Sequence, residues 1–522
     1  MSKKHRAICL SIILAFVGVA VWAGEKSSNR AVTERLISQI ENLLSVREYI
    51  VVSPDRGHVA YGAVAGKKWF VVVDGREGKR YDRIVKETLH FSPDGSRVGY
   101  VAQMGNKRFV VVDGKEENPY DEILEENPIF SPDGKRITYG ARVGNKWRVV
   151  VDGKEDKEYD RVTEGTLSFS PDSQRLAYWA RVGDKRVMVV DGKERSLYDG
   201  ILEHTPTFSP DSKKVAYGAK VGKKWVVVVD GEEGKQYDDL IETHLFFSPD
   251  SKRLSYRAAV AVGNKSVVVV DGKEGKQYDD IGKGSLVYFS PDSEHVAYVA
   301  RVGKKWFVVV DGEEGKQYDD IGKRSPVYFS PDSKHAAYVA KTGDQSLVVV
   351  DGKEGKQYDD IEKGSLVFSP DSQRAAYSAK VGAKWLVIVD GKEGKRHDDI
   401  GKGSLVFSPD SKHVAYWARM GSKSFVVVDG KIEQQYDDIL EDNPIFSPDS
   451  KRVAYVARMG SKWFVVVDGK KEREYDSIVS GKGAAEFLFE APRGGIIFES
   501  PDALRYVAVK RRGIYLVEEG IK

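Results

Sequence analysis

The side chains that could do chemistry are numerous but repetitive. After residue 24 the histidines are His58, His90, His204, His244, His295, His335, His397 and His413. They read as standing at different positions of the pattern, and none falls at metal-ligand spacing. Carboxylate pairs such as Asp238-Asp239 and Asp279-Asp280 recur along the chain. Glycosidic cleavage needs one pair set apart from its fellows, and repetition leaves none set apart. No G-x-S-x-G elbow, H-E-x-x-H or P-loop is present. The aspartate-rich turns lack a calcium-binding loop of the twelve-residue kind. We therefore expect no metal, no cofactor and no catalytic residue.

Residues that vary among otherwise uniform copies are more informative. One position carries Trp69, Arg108, Trp147, Arg186, Trp225, Ser266, Trp306, Ser346, Trp385, Ser424 and Trp463. A core site rarely accepts tryptophan, arginine and serine alike. The six tryptophans with Arg108 and Arg186 are thus expected to be partly exposed, forming a surface for a peptide or a glycan. The competing reading is that they cover a neighbouring sheet. A second circle is made of Tyr-Asp pairs from Tyr81-Asp82 to Tyr475-Asp476, with His397-Asp398 as the odd member. Placed at a mouth, it would attract cations or basic peptides. Lys235, Lys276, Lys316 and Lys356 in the preceding turns offset that field.

The elements that must position these groups come in a repeat. Prolines of an S-P-D triplet stand at Pro54, Pro93, Pro132, Pro171, Pro210, Pro249, Pro291, Pro331, Pro370, Pro409, Pro448 and Pro501, mostly 39 residues apart. V-D-G triplets keep the same beat from Asp74 to Asp468. Each unit holds short strand signals separated by turn residues, as in Leu405-Val406-Phe407, Val414–Ala418, Phe425–Val428 and Tyr436–Ile439. The aspartates of both triplets are expected to serve as local backbone devices, and the repeat tyrosines to fill the space between units. Four short antiparallel strands cannot cover both of their own faces, so a radial stack of sheets is the expected solution.

The fold class is therefore all-β: a β-propeller repeat of about twelve four-stranded blades. Two six-bladed propellers in tandem, over residues 46–285 and 286–522, fit the extra residues in 258–263 and before Phe289 and Phe329. A seven-plus-five split and one larger ring stay open. Apolar spacing from Ala31 to Val46 predicts an amphipathic helix after a join, together filling residues 25–45. Residues 46–52 are strand-like and are expected to complete the last blade.

The first 24 residues have a basic head, Lys3, Lys4 and Arg6, an apolar run from Ala7 to Val21, and a small-residue exit at Val21-Trp22-Ala23. These are the parts of a signal peptide. Cys9, the only cysteine, lies inside it. Without that leader the 82 basic residues fall to 79 and match the 79 acids, which argues against nucleic-acid binding. A periplasmic or secreted protein, with no stable membrane insertion after cleavage, is expected.

The motif F-S-P-D-[SG]-x-x-[VA]-[AG]-Y, seen at Phe91–Tyr100, Phe208–Tyr217, Phe368–Tyr377 and Phe446–Tyr455, resembles the WD-like repeat of TolB and related periplasmic propellers. The likeness spans roughly residues 46–518. It departs in the recurrent V-V-V-D-G-K-E-G-K-Q-Y-D-D-I segment and in lacking the family's N-terminal α/β domain. The resemblance implies a non-catalytic exported scaffold that binds protein or peptide, with a propeller-based glycan hydrolase or lyase as the alternative.

Overall fold

A computed structural model describes residues 31–39, 50–125, 128–241, 245–260, 265–282, 287–321, 327–441, 444–479, 495–511 and 513–521. The expected leader and the later part of the expected helix lie outside the described residues. Every element among them is a β-strand, and the strands form twelve antiparallel sheets. We number these blades one to twelve by their S-P-D turns.

Blade seven shows the pattern. A first strand in two pieces, Asp280–Ile281 and Tyr288–Phe289, pairs with the second, Val296–Val302. The third, Lys305–Val310, follows through a tight hairpin, and the fourth begins at Glu313–Glu314 and reaches Tyr318, opposite Trp306. All S-P-D and V-D-G turns therefore lie at one end of the blades. The glycine hairpins and Tyr-Asp links lie at the other end, here called the hairpin face.

The turns explain the repeated triplets. Each V-D-G aspartate has φ between 48° and 53°, with a left-handed glycine behind it. Two left-handed residues in succession match the twist of a hairpin, which is why Asp-Gly recurs there. Asp311 Oδ1 also accepts the Val296 backbone N–H at 2.8 Å. In the S-P-D turn, Ser290 Oγ bonds Asp292 and accepts the His295 N–H at 2.9 Å. Both sets of aspartates are thus backbone devices, as their positions in the sequence imply.

Alternation along the second and third strands sends side chains to both neighbouring blades. Val268 and Tyr278 of blade six pack with Ile281, Val296, Tyr298 and Val309 of blade seven. Ile37, Val507, Ile514 and Leu516 of blade twelve pack with Val59, Tyr61, Phe70 and Val72 of blade one. Two closed rings of six would require blade six to cover blade one, and blade seven to cover blade twelve. The described cores instead join six to seven and twelve to one, making one circuit of twelve. The extra residues that suggested a break are absorbed in connections. The bond from Asp250 N–H to Ser293 Oγ spans 43 residues yet measures 2.9 Å, matching the Asp211–Ser251 bond across 40 residues at 2.8 Å.

The expected helix is also corrected. Ala31–Gln39 is a strand, paired antiparallel with Gly513–Gly520 as the fourth strand of blade twelve. The edge-to-edge closure is present, but this segment makes it, whereas Val51–Val52 joins blade one. A bulge between Leu36 and Ser38 breaks the two-residue alternation and turns Ile37 into the core, leaving Leu36 exposed. That interruption is what made the apolar spacing look helical.

Candidate docking face

The tryptophans expected at a binding surface are half-buried at the start of third strands. Trp306 packs into the seam between blades seven and eight, with Arg301 lying 5.4 Å from its ring centre. Trp147, Trp225, Trp385 and Trp463 are covered similarly by Arg142, Lys220, Lys380 and Arg458. Trp69 joins the core between blades one and two. The arginines at this position reach across seams. Arg108 donates to the Ile123 carbonyl at 3.3 Å, and Arg186 to the Ile201 carbonyl at 3.1 Å. The serines that replace them, Ser266, Ser346 and Ser424, are buried. This position therefore joins blades, and the ring faces of the tryptophans are largely spent on neighbours.

The Tyr-Asp circle is likewise spent. Each tyrosine is buried in a seam and meets the next blade's repeat tyrosine edge-on, as Tyr318 meets Tyr338 at 6.2 Å. The following aspartate is a staple. Asp319 takes Lys305 of its own blade on one oxygen at 2.6 Å, and the Gly343 N–H of the next hairpin on the other at 2.8 Å. The Lys305 ammonium and that backbone N–H hold its carboxyl below the usual range. Lys276, Lys316 and Lys356 pair with Glu314, Glu354 and Glu393 of the following blades.

The histidines are more ordered than their sequence positions suggested. His58, His295, His335 and His413 share one repeat position, three residues after the S-P-D aspartate. Each bonds a V-D-G aspartate through Nδ1 at 2.6–2.7 Å, where other blades use an arginine such as Arg97 or Arg374. The Asp311 carboxylate pushes His295 up from its ordinary value. No group of three or more His, Cys, Asp or Glu able to hold a metal occurs among the described residues. No described helix is long and apolar enough to cross a membrane.

Sequence reading missed a different circle. Val143, Val182, Val221, Val302, Met420 and Met459 occupy one repeat position, the last residue of the second strand before the hairpin glycine. Their exposures run from 37% to 47%. All lie on the hairpin face, so six of twelve blades present an uncovered aliphatic side chain toward the same side. A strand-end valine in a V-A-Y-V-A-R-V run looks like core. Only the pairing register shows that it has passed the edge of the neighbouring blade.

No family model and no curated protein matches the chain. Solved structures do, and the likeness is one of fold. A eukaryotic initiation factor aligns at 14% identity over 72% of this chain and 97% of its own, with a TM-score of 0.35. TolB from Acinetobacter baumannii aligns at 13% identity over 56% and 82%, with a TM-score of 0.24. The GH74 enzyme of Niastella koreensis aligns at 9% identity over 90% of each chain, with a TM-score of 0.27. Scores this low carry nothing about activity. The chain is a β-propeller repeat protein on the evidence of its own sheets.

One acid departs from the symmetry. Glu362 follows the first strand of blade nine, at a position held by Val85, Leu124 and Leu202 in other blades. Burial, with Asp399 and Asp360 nearby, pushes its carboxyl up to about 7, against a smaller opposing pull from Lys402.

Proposed function

We propose that this chain is a non-catalytic, exported scaffold of the TolB-like periplasmic type that binds protein or peptide partners through its hairpin face. The observation that carries the reading is the circle of exposed aliphatic side chains. Val302, Met420 and Met459 are 40–47% exposed where the regular packing of the blades offers no cover. Apolar groups aligned on one side of a rigid body mark an interaction surface. Export is supported by the basic head, apolar run and small-residue exit of residues 1–24.

The test is photo-cross-linking in the cell envelope. A benzophenone amino acid replacing Val302 or Met420 should capture discrete partners that the same group at Ile432 does not. Ile432 is 39% exposed but lies on a fourth strand beside the V-D-G turn, at the opposite end of its blade. Identical adducts from both sites, or none from Val302 and Met420, would refute the reading.

A glycan hydrolase or lyase has one observation in its favour, namely Glu362. A carboxyl raised to about 7 by burial, with Asp399 and Asp360 beside it, is the kind of group a general acid requires. Turnover of a glycan by the wild type that vanishes in Glu362→Gln would decide for that reading.

A further inference from the structure

The hairpin face is not electrically uniform, and the difference lies between the first and second strands. In blades seven, ten and eleven an acid of the first strand is paired with the cation directly opposite on the second. The pairs are Asp280–Arg301 at 3.6 Å, Asp399–Arg419 at 3.0 Å and Asp438–Arg458 at 3.5 Å. Blade three does the same with Glu122–Arg142 at 2.8 Å. The rule fails in blades two, four and five. Arg83 of blade two faces Gln103, and Lys220 of blade five faces Gly200. In blade four two arginines, Arg161 and Arg181, stand directly opposite each other.

Arg83, Arg161 and Arg181 are exposed and make no ion pair with a described residue, Arg181 acting on Asp160 only as a minor influence behind Lys146 and the Gly183 N–H. Like charges directly opposite on paired strands repel. The fold has a neutral solution for that place and uses it one blade earlier, so Arg161 opposite Arg181 is not forced by the architecture. The same arc holds Val143, Val182 and Val221 of the aliphatic circle, each 37–42% exposed. Cations outside any ion pair, interleaved with exposed aliphatic groups, define the chemistry of an occupant: carboxylates alternating with apolar side chains.

We propose that the hairpin face of blades two to five docks an acidic peptide segment of a partner protein. Its carboxylates sit on Arg83, Arg161, Arg181 and Lys220, and its apolar side chains on Val143, Val182 and Val221. This rests on the docking-face reading above and specifies its partner. Two facing guanidinium groups give a carboxylate a pair of charge-assisted hydrogen bonds, and filling the site relieves their repulsion. Association is then steered by charge and weakened by salt.

The experiment uses the chain from residue 25 onward and a fluorescein-labelled twelve-residue peptide of alternating Glu and Leu, with Gln/Leu and Lys/Leu peptides as controls. Anisotropy should show binding of the Glu/Leu peptide alone, weakening about tenfold between 50 and 300 mM salt. Arg161→Glu should weaken binding about tenfold or more. It recreates the acid–arginine pair of blade three, so its melting temperature should hold or rise, which separates lost binding from lost fold. Val182→Ser should weaken binding several-fold, and Lys380→Glu on the opposite arc should leave it within twofold. Equal binding of the Lys/Leu peptide, or an Arg161→Glu variant within twofold of wild type, overturns the proposal. So does a charge-matched heparin fragment that binds as tightly and ignores Val182→Ser, which would make the site one for anionic glycan. If no acidic peptide binds while Val302 still cross-links partners, this inference falls and the docking-face reading stands. Loss of both results removes both.

Discussion

The seam between blades nine and ten breaks the repeat at three places at once, and the break can be repaired. Tyrosine ends the fourth strand in blades one to eight, ten and eleven; blade nine has His397. In most other seams that tyrosine faces a glutamate on the next blade's fourth strand; Tyr120 Oη bonds Glu155 at 2.9 Å, and elsewhere a lysine pairs with the glutamate at that position, as Lys356 does with Glu393 at 2.6 Å. Here the glutamate position is Ile432, which is 39% exposed. Lys395 is thereby left without a described carboxylate, and His397 is fully buried with no partner at Nδ1. Burial pushes the His397 imidazole below its ordinary value, and Lys395 pushes it the same way.

A buried histidine kept neutral costs stability on the acid side. The contribution is complete above the ordinary histidine value, about 6.5, and is lost as pH falls below it, at most about 1.4 kcal/mol per pH unit for one proton. His397→Tyr alone removes that slope but buries a phenol oxygen without its acceptor, costing about 1–3 kcal/mol against the gain in ring burial. Ile432→Glu alone, at an exposed site, should change stability by about 0.5 kcal/mol or less. Together they restore a hydroxyl–carboxylate bond and an exposed ion pair with Lys395. The two changes should therefore couple by about 1–2 kcal/mol, since bonds to charged groups contribute about 1.5–3 kcal/mol when buried and exposed pairs up to about 1. Native-state hydrogen exchange reads the seam directly, because the Trp385 and His397 amides bond each other's carbonyls at 2.9 and 2.7 Å. Their opening free energy should fall with acid in the wild type and lose that dependence in both tyrosine variants. Coupling below about 0.3 kcal/mol, or an acid slope that persists without His397, would refute the argument.

Three further outcomes follow from individual contacts. Because the Glu362 carboxyl is raised to about 7, its contribution is present below the ordinary glutamate range and lost as pH rises through about 7. Glu362→Gln should flatten the melting temperature between pH 5 and 8, and parallel curves would count against it. A Cβ at Gly401 would lie 2.0 Å from Trp417 Cε2, so Gly401→Ala should cost about 1–3 kcal/mol and be rescued by Trp417→Val. Thr33 and Glu518 are cross-strand partners in the closing sheet. Cysteines at both positions, in a chain lacking the leader and therefore any other cysteine, should form one intramolecular disulfide detectable by mass, and a failure to cross-link would remove that register.

How much of this was legible depended on whether a residue's partner lies within its own repeat. Asp311 and Ser290 bond backbone a few residues or one hairpin away, so their turn chemistry could be read from S-P-D and V-D-G alone. Asp319 could not, because one of its two partners is the Gly343 N–H, 24 residues on in the next blade, and without it the residue looked like an unspent acid at a mouth. Trp306 misled in the same way, since its cover belongs to the following seam. The count of blades was visible in the period, but their division was not. Insertions near Ala258–Gly263 change loop length without changing which sheet covers which.

The same distinction separates structure from function here. A residue repeated in every blade must first satisfy a requirement that every blade has, and the aspartates, tyrosines and stapling lysines each have such a partner on the page. Departures from the repeat fall into two kinds. Gly401 with Trp417 is a departure answered by a neighbour, the absent Cβ making room for the indole. Arg161 opposite Arg181 is a departure that no ion pair with a described residue answers. In a ring that resolves the same geometry with Glu122–Arg142 one blade away, an unanswered charge on the exposed aliphatic face is best explained by a partner outside the chain.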